Sequence, residues 1–236
     1  MAEQIIKSKD RVKSHGEVFT PRCVVDFMLN QPEIREKINS LTATFLEPAA
    51  GEGAFLVEIL HRKLQRALDL SGSMDEYGEN CLIALSSLYG IELLEDNCKW
   101  LRWNMNYEFH AQYGEGARQK FSAYVDGRVI KCANTVIQAN MVQGDALKYT
   151  NSLGEPIVVS EWKLLPQRGG RRKVQRIEHT LEDIVNENTA PNDAVIMQDQ
   201  EINLFAEEVA ESKKLIRYAP VNILDIYKQL VEDAQN

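Results

Sequence analysis

Residues 47–55 read EPAAGEGAF, and this stretch decides the fold that the sequence predicts. It starts at the end of a short apolar run, residues 44–48, which is typical of a buried strand, and it leads into residues with helical spacing of apolar side chains. Gly51 and Gly53 permit backbone angles and close approaches that a Cβ would forbid. The stretch therefore predicts a strand, a tight turn and a helix N-terminus that suits a carboxylate. Taken alone, it also fits a plain strand–helix turn.

Two further strands are predicted downstream, and each ends in an acidic residue. Glu92 closes the run LYGIE, and Asp145 follows the run NMVQG. Helical segments separate the strands, an alternation typical of a parallel, doubly wound sheet. In such a sheet the carboxyl ends of the strands form the ligand crevice, and an acid after the second strand binds ribose hydroxyls. Any one of these acids also fits an ordinary helix cap, but the two together with Glu47 predict a binding site.

The pattern changes after Asp145. Residues 156–164 and 172–180 alternate as β strands around a Gly169-Gly170 turn, so they predict an antiparallel hairpin. Helices are expected around residues 200–216 and 221–233. The predicted organisation is a flexible segment at 1–16, an α/β domain at 17–165, and a hairpin return with a helical appendage at 166–236.

Composition restricts the class of protein. The 236 residues are 44% hydrophobic and carry a net charge of −8. No apolar run is long enough for a transmembrane helix, the polar start is unlike a secretory signal, and the four cysteines fit no zinc or redox spacing. We therefore expect a cytoplasmic protein without metal or membrane contact. The acidic balance does not favour nucleic-acid binding, although a local basic patch would permit it.

The motifs resemble the S-adenosylmethionine-binding core of the gamma-class DNA amino-methyltransferases, which include the modification subunits of restriction systems. EPAAGEGAFL resembles their first motif, GIELLEDN the second and NMVQGDAL the third, and HGEVFTPR resembles the segment that covers the methionine end of the cofactor. The resemblance implies a Rossmann-like methyltransferase sandwich. It also implies cofactor contacts from Phe19, Thr20, Pro21, Glu47, Pro48, Ala49, Gly51, Gly53, Phe55, Glu92, Leu93, Asp145 and Ala146.

One motif of that family is missing. Its fourth strand ends in Asn/Asp-Pro-Pro-Tyr/Phe, which holds the amine of a flipped adenine and stacks on the base. Here the expected fourth strand, residues 156–159, runs into Ser160-Glu161-Trp162-Lys163. Glu161 and Trp162 are the remaining candidates for an acceptor and a stacking ring, but residues 160–163 fit an ordinary hairpin strand better.

Two functions remain open at this stage. The resemblance implies an adenine-N6 DNA methyltransferase that acts on DNA, by itself or with a partner subunit that supplies target recognition or the catalytic loop. The alternative is a non-catalytic subunit or regulatory module that binds cofactor and a partner protein. A hairpin tip with four cations would contact DNA phosphates or form a solvated loop: Arg168, Arg171, Arg172 and Lys173. Trp100 and Trp103 share one helix face and are expected in the core.

Overall fold

The computed structural model describes residues 8–15, 18, 20–166, 169–186, 195–197 and 214–233. Its α-helices are α1 (Lys9–His15), α2 (Arg22–Leu29), α3 (Pro32–Ile38), α4 (Ala54–Leu70), α5 (Met74–Ser86), α6 (Glu95–Phe121), α7 (Gly127–Asn140) and α8 (Leu181–Val185). Its strands are β1 (Phe45–Glu47), β2 (Leu88–Glu92), β3 (Met141–Gln143), β4 (Val158–Leu164), β5 (Lys173–Thr180), β6 (Val195–Met197), β7 (Lys214–Tyr218), β8 (Val221–Asn222) and β9 (Val231–Asp233).

A parallel sheet lies at the centre of the described chain, with the strand order β1-β2-β3. Phe45 pairs with Leu88, and Gly90 pairs with Met141. The three strands follow the three apolar runs that predicted them, so the mixed α/β class and the parallel pairing are confirmed.

Helices cover one face of this sheet, and a β-hairpin covers the other. Gly90 leaves no room for a side chain on the helical face, because a Cβ there would lie 2.7 Å from Leu56 of α4 and 3.2 Å from Leu101 of α6. On the opposite face Ile91 packs with Ile157 and Val159. Hydrophobic burial on both faces explains why β2 is nearly continuous in apolar residues.

The hairpin prediction is confirmed for the described residues, but the interpretation of residues 156–159 as a fourth sheet strand is wrong. β4 pairs antiparallel with β5, from Val158↔Thr180 to Leu164↔Val174. This pair belongs to a separate sheet of order β4-β5-β8. The chain therefore turns onto the face of the parallel sheet instead of extending its edge, since Ile157 finds apolar partners there.

The expected C-terminal helices are contradicted wherever the structure describes them. Residues 214–218 form a strand, and residues 221–233 form β8, a 3₁₀ helix (Ile223–Lys228) and β9. Ile223 and Leu224 are buried in the same hydrophobic core as α4–α7. Helical spacing of apolar residues here reflects this 3₁₀ turn, whose apolar side packs on α7. Residues 200–213 lie outside the described residues.

The N-terminal segment contains a helix, α1, where the sequence favoured a flexible segment. Arg11 connects it to the start of α6, with an ion pair of 3.0 Å to Asp96. Packing also crosses the expected domain boundary between residues 165 and 166, because Val174 of β5 belongs to the main core.

Candidate functional site

The turns that follow β1, β2 and β3 meet at one edge of the sheet. Ala50 donates its N–H to the carbonyl of Ile91 at 2.9 Å, and Gly144 donates to the carbonyl of Glu92 at 2.9 Å. These bonds continue the parallel pairing past the ends of the strands. The sheet therefore brings the three predicted strand-end acids to its carboxyl edge, where doubly wound folds place their ligands.

The glycine turn has the backbone that its sequence predicts. Gly51 has a φ of +56° and Gly53 a φ of +92°, both in the left-handed region that favours glycine. Gly53 is also the N-cap of α4, and a Cβ on it would lie 2.6 Å from Leu101. Both glycines thus permit the tight turn that leads into the N-terminus of α4.

Glu92 fastens this turn to the end of β2. One carboxylate oxygen accepts the N–H of Gly51 at 2.7 Å, and the other accepts the N–H of Leu94 at 2.9 Å. The side chain is buried. Oε1 also lies 3.5 Å from Nδ2 of Asn97, so the carboxylate already has a structural role and Oε2 keeps the lone pair that a ribose hydroxyl would use.

Glu47 lies beside Glu92, and its carboxylate has fewer hydrogen-bond partners. Its Oε2 is buried and has no hydrogen-bond partner among the described residues. Burial, with a smaller contribution from the negative charge of Glu92, raises the pKa of Glu47 to about 7. A buried carboxylate oxygen without a partner costs free energy, so this position suits a cationic or hydrogen-donating ligand.

A cavity of about 410 Å³ opens in front of Glu47. This volume lies in the range of small-molecule sites. Its lining includes Thr20, Glu47, Ala49, Gly51, Gly53 and Phe55. Six of the predicted cofactor residues therefore share one cavity, whose walls are the glycine turn, the start of α4 and the segment before α2.

Comparisons with known proteins leave the chain without a family. No family model matches it, and neither a curated protein nor a solved structure does. The geometry of the cavity therefore carries the functional argument.

Sequence reasoning missed six polar residues that line the cavity: Arg22, Glu52, Glu58, Asn104, Tyr107 and Glu108. Arg22 stands at the mouth, where its guanidinium lies 3.4 Å from Glu58. Asn104 and Tyr107 come from α6, and Asn104 donates to the carbonyl of Glu52 at 2.8 Å. The position of Arg22 directly after Thr-Pro was a usable signal, whereas the α6 residues are distant in sequence and only packing brings them here.

Among the described residues, the other predicted cofactor contacts, including Glu92, do not line this cavity. Asp145 caps the turn after β3, accepting the N–H of Leu147 at 3.0 Å. A hydrogen bond from Lys148 holds the pKa of Asp145 below its usual range. Pro48 and Leu93 are exposed, Pro21 is the N-cap of α2, and Ala146 packs against the second apolar cluster. Phe19 lies outside the described residues.

The two catalytic candidates lie on β4 of the hairpin. Trp162 is 8% exposed, donates to Asn140 at 3.3 Å and belongs to the main core. Glu161 is exposed and lies 3.1 Å from Nε2 of His179. Neither residue lines the cavity at Glu47, which agrees with the interpretation of residues 160–163 as a hairpin strand.

Two of the four hairpin-tip cations are paired within the protein. Arg171 contacts Asp75 at 3.1 Å, and Arg172 donates to Asn80 at 2.8 Å and approaches Glu79. These contacts fasten the hairpin to α5. Lys173 is exposed on β5, and Arg168 lies outside the described residues. Contact of this tip with DNA remains a prediction.

The expectation that Trp100 and Trp103 are core residues is wrong. They are 49% and 55% exposed, and Tyr107 is 62% exposed. The Trp103 and Tyr107 rings stack with centroids 5.3 Å apart. The helical spacing correctly placed both tryptophans on one face of α6. That face points outward, because Leu101, Met105 and Phe109 of the same helix occupy the core.

Two classes of feature are not found in the described part of the chain. None of its helices is long and apolar enough to cross a membrane. Its histidine, cysteine and acidic side chains form no cluster of three or more that could hold a metal ion.

Proposed function

We propose that the chain binds S-adenosylmethionine in the cavity at Glu47 and is the cofactor-binding component of an adenine-N6 DNA methyltransferase. The single observation that carries the proposal is the buried Oε2 of Glu47, which lacks a partner in a cavity formed by a glycine turn. The cofactor supplies a methyl group on a sulfonium centre. The Rossmann-like methyltransferase fold belongs to the same proposal.

The cavity suits the amino-acid end of the cofactor, which carries both an ammonium and a carboxylate. Glu47 offers an acceptor to the ammonium. The N-terminus of α4, reached through Ala54 and Phe55, favours an anionic group, and Arg22 stands at the mouth. Glu47 and the N-terminus of α4 thus offer opposite charges to the ammonium and the carboxylate, while Arg22 is already paired with Asp26 and Glu58.

Glu92 contributes in two ways under this proposal. It holds the glycine turn through the N–H of Gly51, which preorganises the cavity before the ligand enters. We assign the ribose hydroxyls to the same carboxylate, because an acid at the end of the second strand has this role in doubly wound folds.

A second polypeptide is part of the proposal. The tetrapeptide that holds adenine in the resembling family is absent, and Trp162 is buried in the core. Arg171 and Arg172 already pair with α5, so the described part of the hairpin tip offers few cations for phosphates. The same observations support the alternative, in which the chain is a non-catalytic subunit that binds cofactor and a partner protein.

Calorimetry with S-adenosylmethionine tests the binding step. We expect one saturable site per chain, and Glu47→Gln and Glu92→Gln should each weaken binding by roughly tenfold, since each removes a charged acceptor. Glu33→Gln, an exposed carboxylate on α3, is the matched control and should bind normally. No binding at millimolar cofactor would contradict the proposal.

Methyl transfer from labelled cofactor to adenine-containing DNA tests the enzymatic step. The purified chain should show a rate roughly a thousandfold or more below ordinary enzymes, because aligned acceptors for the amine are missing. Ordinary rates from the chain alone would refute the need for a second polypeptide. Loss of cofactor binding and loss of transfer are separate readouts.

A further inference from the structure

The outer edge of β1 is unpaired among the described strands. β1 pairs only with β2, and Phe45 directs its N–H to the carbonyl of Ser87 on that side. The N–H and C=O of Leu46, one residue further, therefore face the open edge. In a doubly wound sheet the first strand is central and the second half of the sheet adds to this edge. In this chain none of the described strands occupies that position, because β4 lies on the face of the sheet instead.

An apolar groove of about 510 Å³ runs beside this edge. Thr44 and Leu46 form one wall, and Val159, Ile177 and Leu181 form the other. The side chain of Leu46 is 47% exposed in it. Charged residues or proline usually protect exposed edge strands; here they occur at Glu47 and Pro48, and Thr44 and Leu46 beside the groove are neither.

The rim of the groove carries one cation without a counterion. Lys163 of β4 makes no ion pair with any described residue, whereas Glu161 is already paired with His179. An occupant with a carboxylate at this point complements the rim. A second copy of this chain brings another Lys163 instead, so charge disfavours pairing of two such edges.

We propose that the β1 edge is the docking site for an extended strand of a second polypeptide, with apolar side chains in the groove and a carboxylate at Lys163. Backbone hydrogen bonds to Leu46 supply affinity, and the alternating side chains supply specificity, as in other cases of strand addition.

A strand docked parallel to β1 ends at the same edge of the sheet as β1 does. Its following residues then lie next to Glu47 and the cofactor cavity. This consequence rests on the proposed function, because it explains how a partner delivers the missing adenine-binding residues. The docking itself depends only on the open edge, the groove and Lys163.

The probe is a nine-residue, end-capped peptide in which valine and isoleucine alternate with threonine, with one glutamate. Hydrogen exchange of the full chain, read by NMR, should show the Leu46 amide protected roughly tenfold or more by this peptide. A peptide with lysine in place of glutamate should bind roughly tenfold more weakly, because it meets Lys163.

Three variants test whether protection of the Leu46 amide depends on the groove and on Lys163. Leu46→Lys should abolish peptide protection, since it places a charge in the groove, while Leu153→Lys, at an exposed loop position, should not. Lys163→Glu should reverse the preference between the two peptides. All three should bind S-adenosylmethionine as the wild type does, so docking and the cofactor site are tested separately.

Unchanged exchange at Leu46, or equal protection in Leu46→Lys, would overturn the proposal. Dimerisation of the wild type that Leu46→Lys abolishes would also overturn it, in favour of a second copy of the chain as occupant.

Discussion

Two polar clusters of the molecule differ in how completely their charges are paired. In the hairpin, Arg176 donates to Ser160 and Glu178, each at 2.8 Å, and its guanidinium lies over the Trp162 ring. At the carboxyl edge of the parallel sheet, Glu47 keeps a buried oxygen without a partner and Glu92 adds a second negative charge. A fully paired network stabilises the fold, whereas an unpaired buried group costs stability and is retained where a ligand meets it.

Two tryptophans show the same difference between the hairpin and the candidate site. Trp162 was a candidate stacking ring because of its place in the chain, although an ordinary hairpin strand was favoured, and its indole N–H bonds to Asn140 in the core. Trp103, expected in the core, is exposed beside the cavity residue Tyr107. Trp162 thus belongs to the hairpin cluster, and Trp103 lies next to the candidate site.

The largest expected effect is in the hairpin cluster. Trp162→Ala should lower the free energy of unfolding by about 3–5 kcal/mol, since it leaves a cavity under Arg176 and frees the Asn140 acceptor. Chemical denaturation gives the value. Trp103→Ala, the exposed control, should change it by about 0.5 kcal/mol or less. Equal losses in both variants would mean that the two tryptophans are not divided between core and surface.

A smaller effect is expected in the glycine turn. Gly53→Ala should cost about 1–3 kcal/mol and abolish cofactor binding, because φ is +92° and the new Cβ meets Leu101 at 2.6 Å. At Gly51 an added Cβ would meet no atom within 4 Å, so only the φ of +56° disfavours alanine. Gly51→Ala should therefore cost about 1 kcal/mol. Thermal unfolding compares the two, and a greater loss at Gly51 would contradict this account of the turn.

The smallest effect concerns the pH dependence of stability at Glu47. The pKa of this carboxyl is raised from 4.5 to about 7, so the folded chain holds the proton to a higher pH than the unfolded chain does. Its contribution to stability is therefore largest below pH 4.5 and is lost as the pH rises towards 7. Without cofactor, Glu47→Gln should be more stable than wild type at pH 8, by about 1–2 kcal/mol.

Unfolding curves at pH 4.5 and pH 8 measure this difference, and Glu33→Gln serves as the exposed control. A wild-type protein whose stability relative to Glu47→Gln is the same at both pH values would show that Glu47 is not an unpaired buried carboxyl. That result would also remove the observation on which the proposed cofactor site rests.

Much of the sheet and part of the cavity follow from local sequence. Apolar runs predicted β1, β2 and β3, and the glycines predicted the turn into α4, because strand and turn propensities act within a few residues. Alternation around Gly169-Gly170 likewise predicted β4 and β5. Glu47, Gly51 and Gly53 were recognisable as a site because one short motif contains all three.

The sequence by itself therefore determined the strands of the parallel sheet, the hairpin and the motif, while the tertiary structure decided which faces and edges they present. Asp145 has the same strand-end pattern as Glu47, but Lys148 and the backbone of its own turn bind it. The helical spacing of Trp103 is visible in the sequence, but its outward direction depends on how α6 packs. Residues 156–159 have strand propensity, but whether they extend the sheet or cover its face depends on long-range burial against Ile91, which no local pattern encodes.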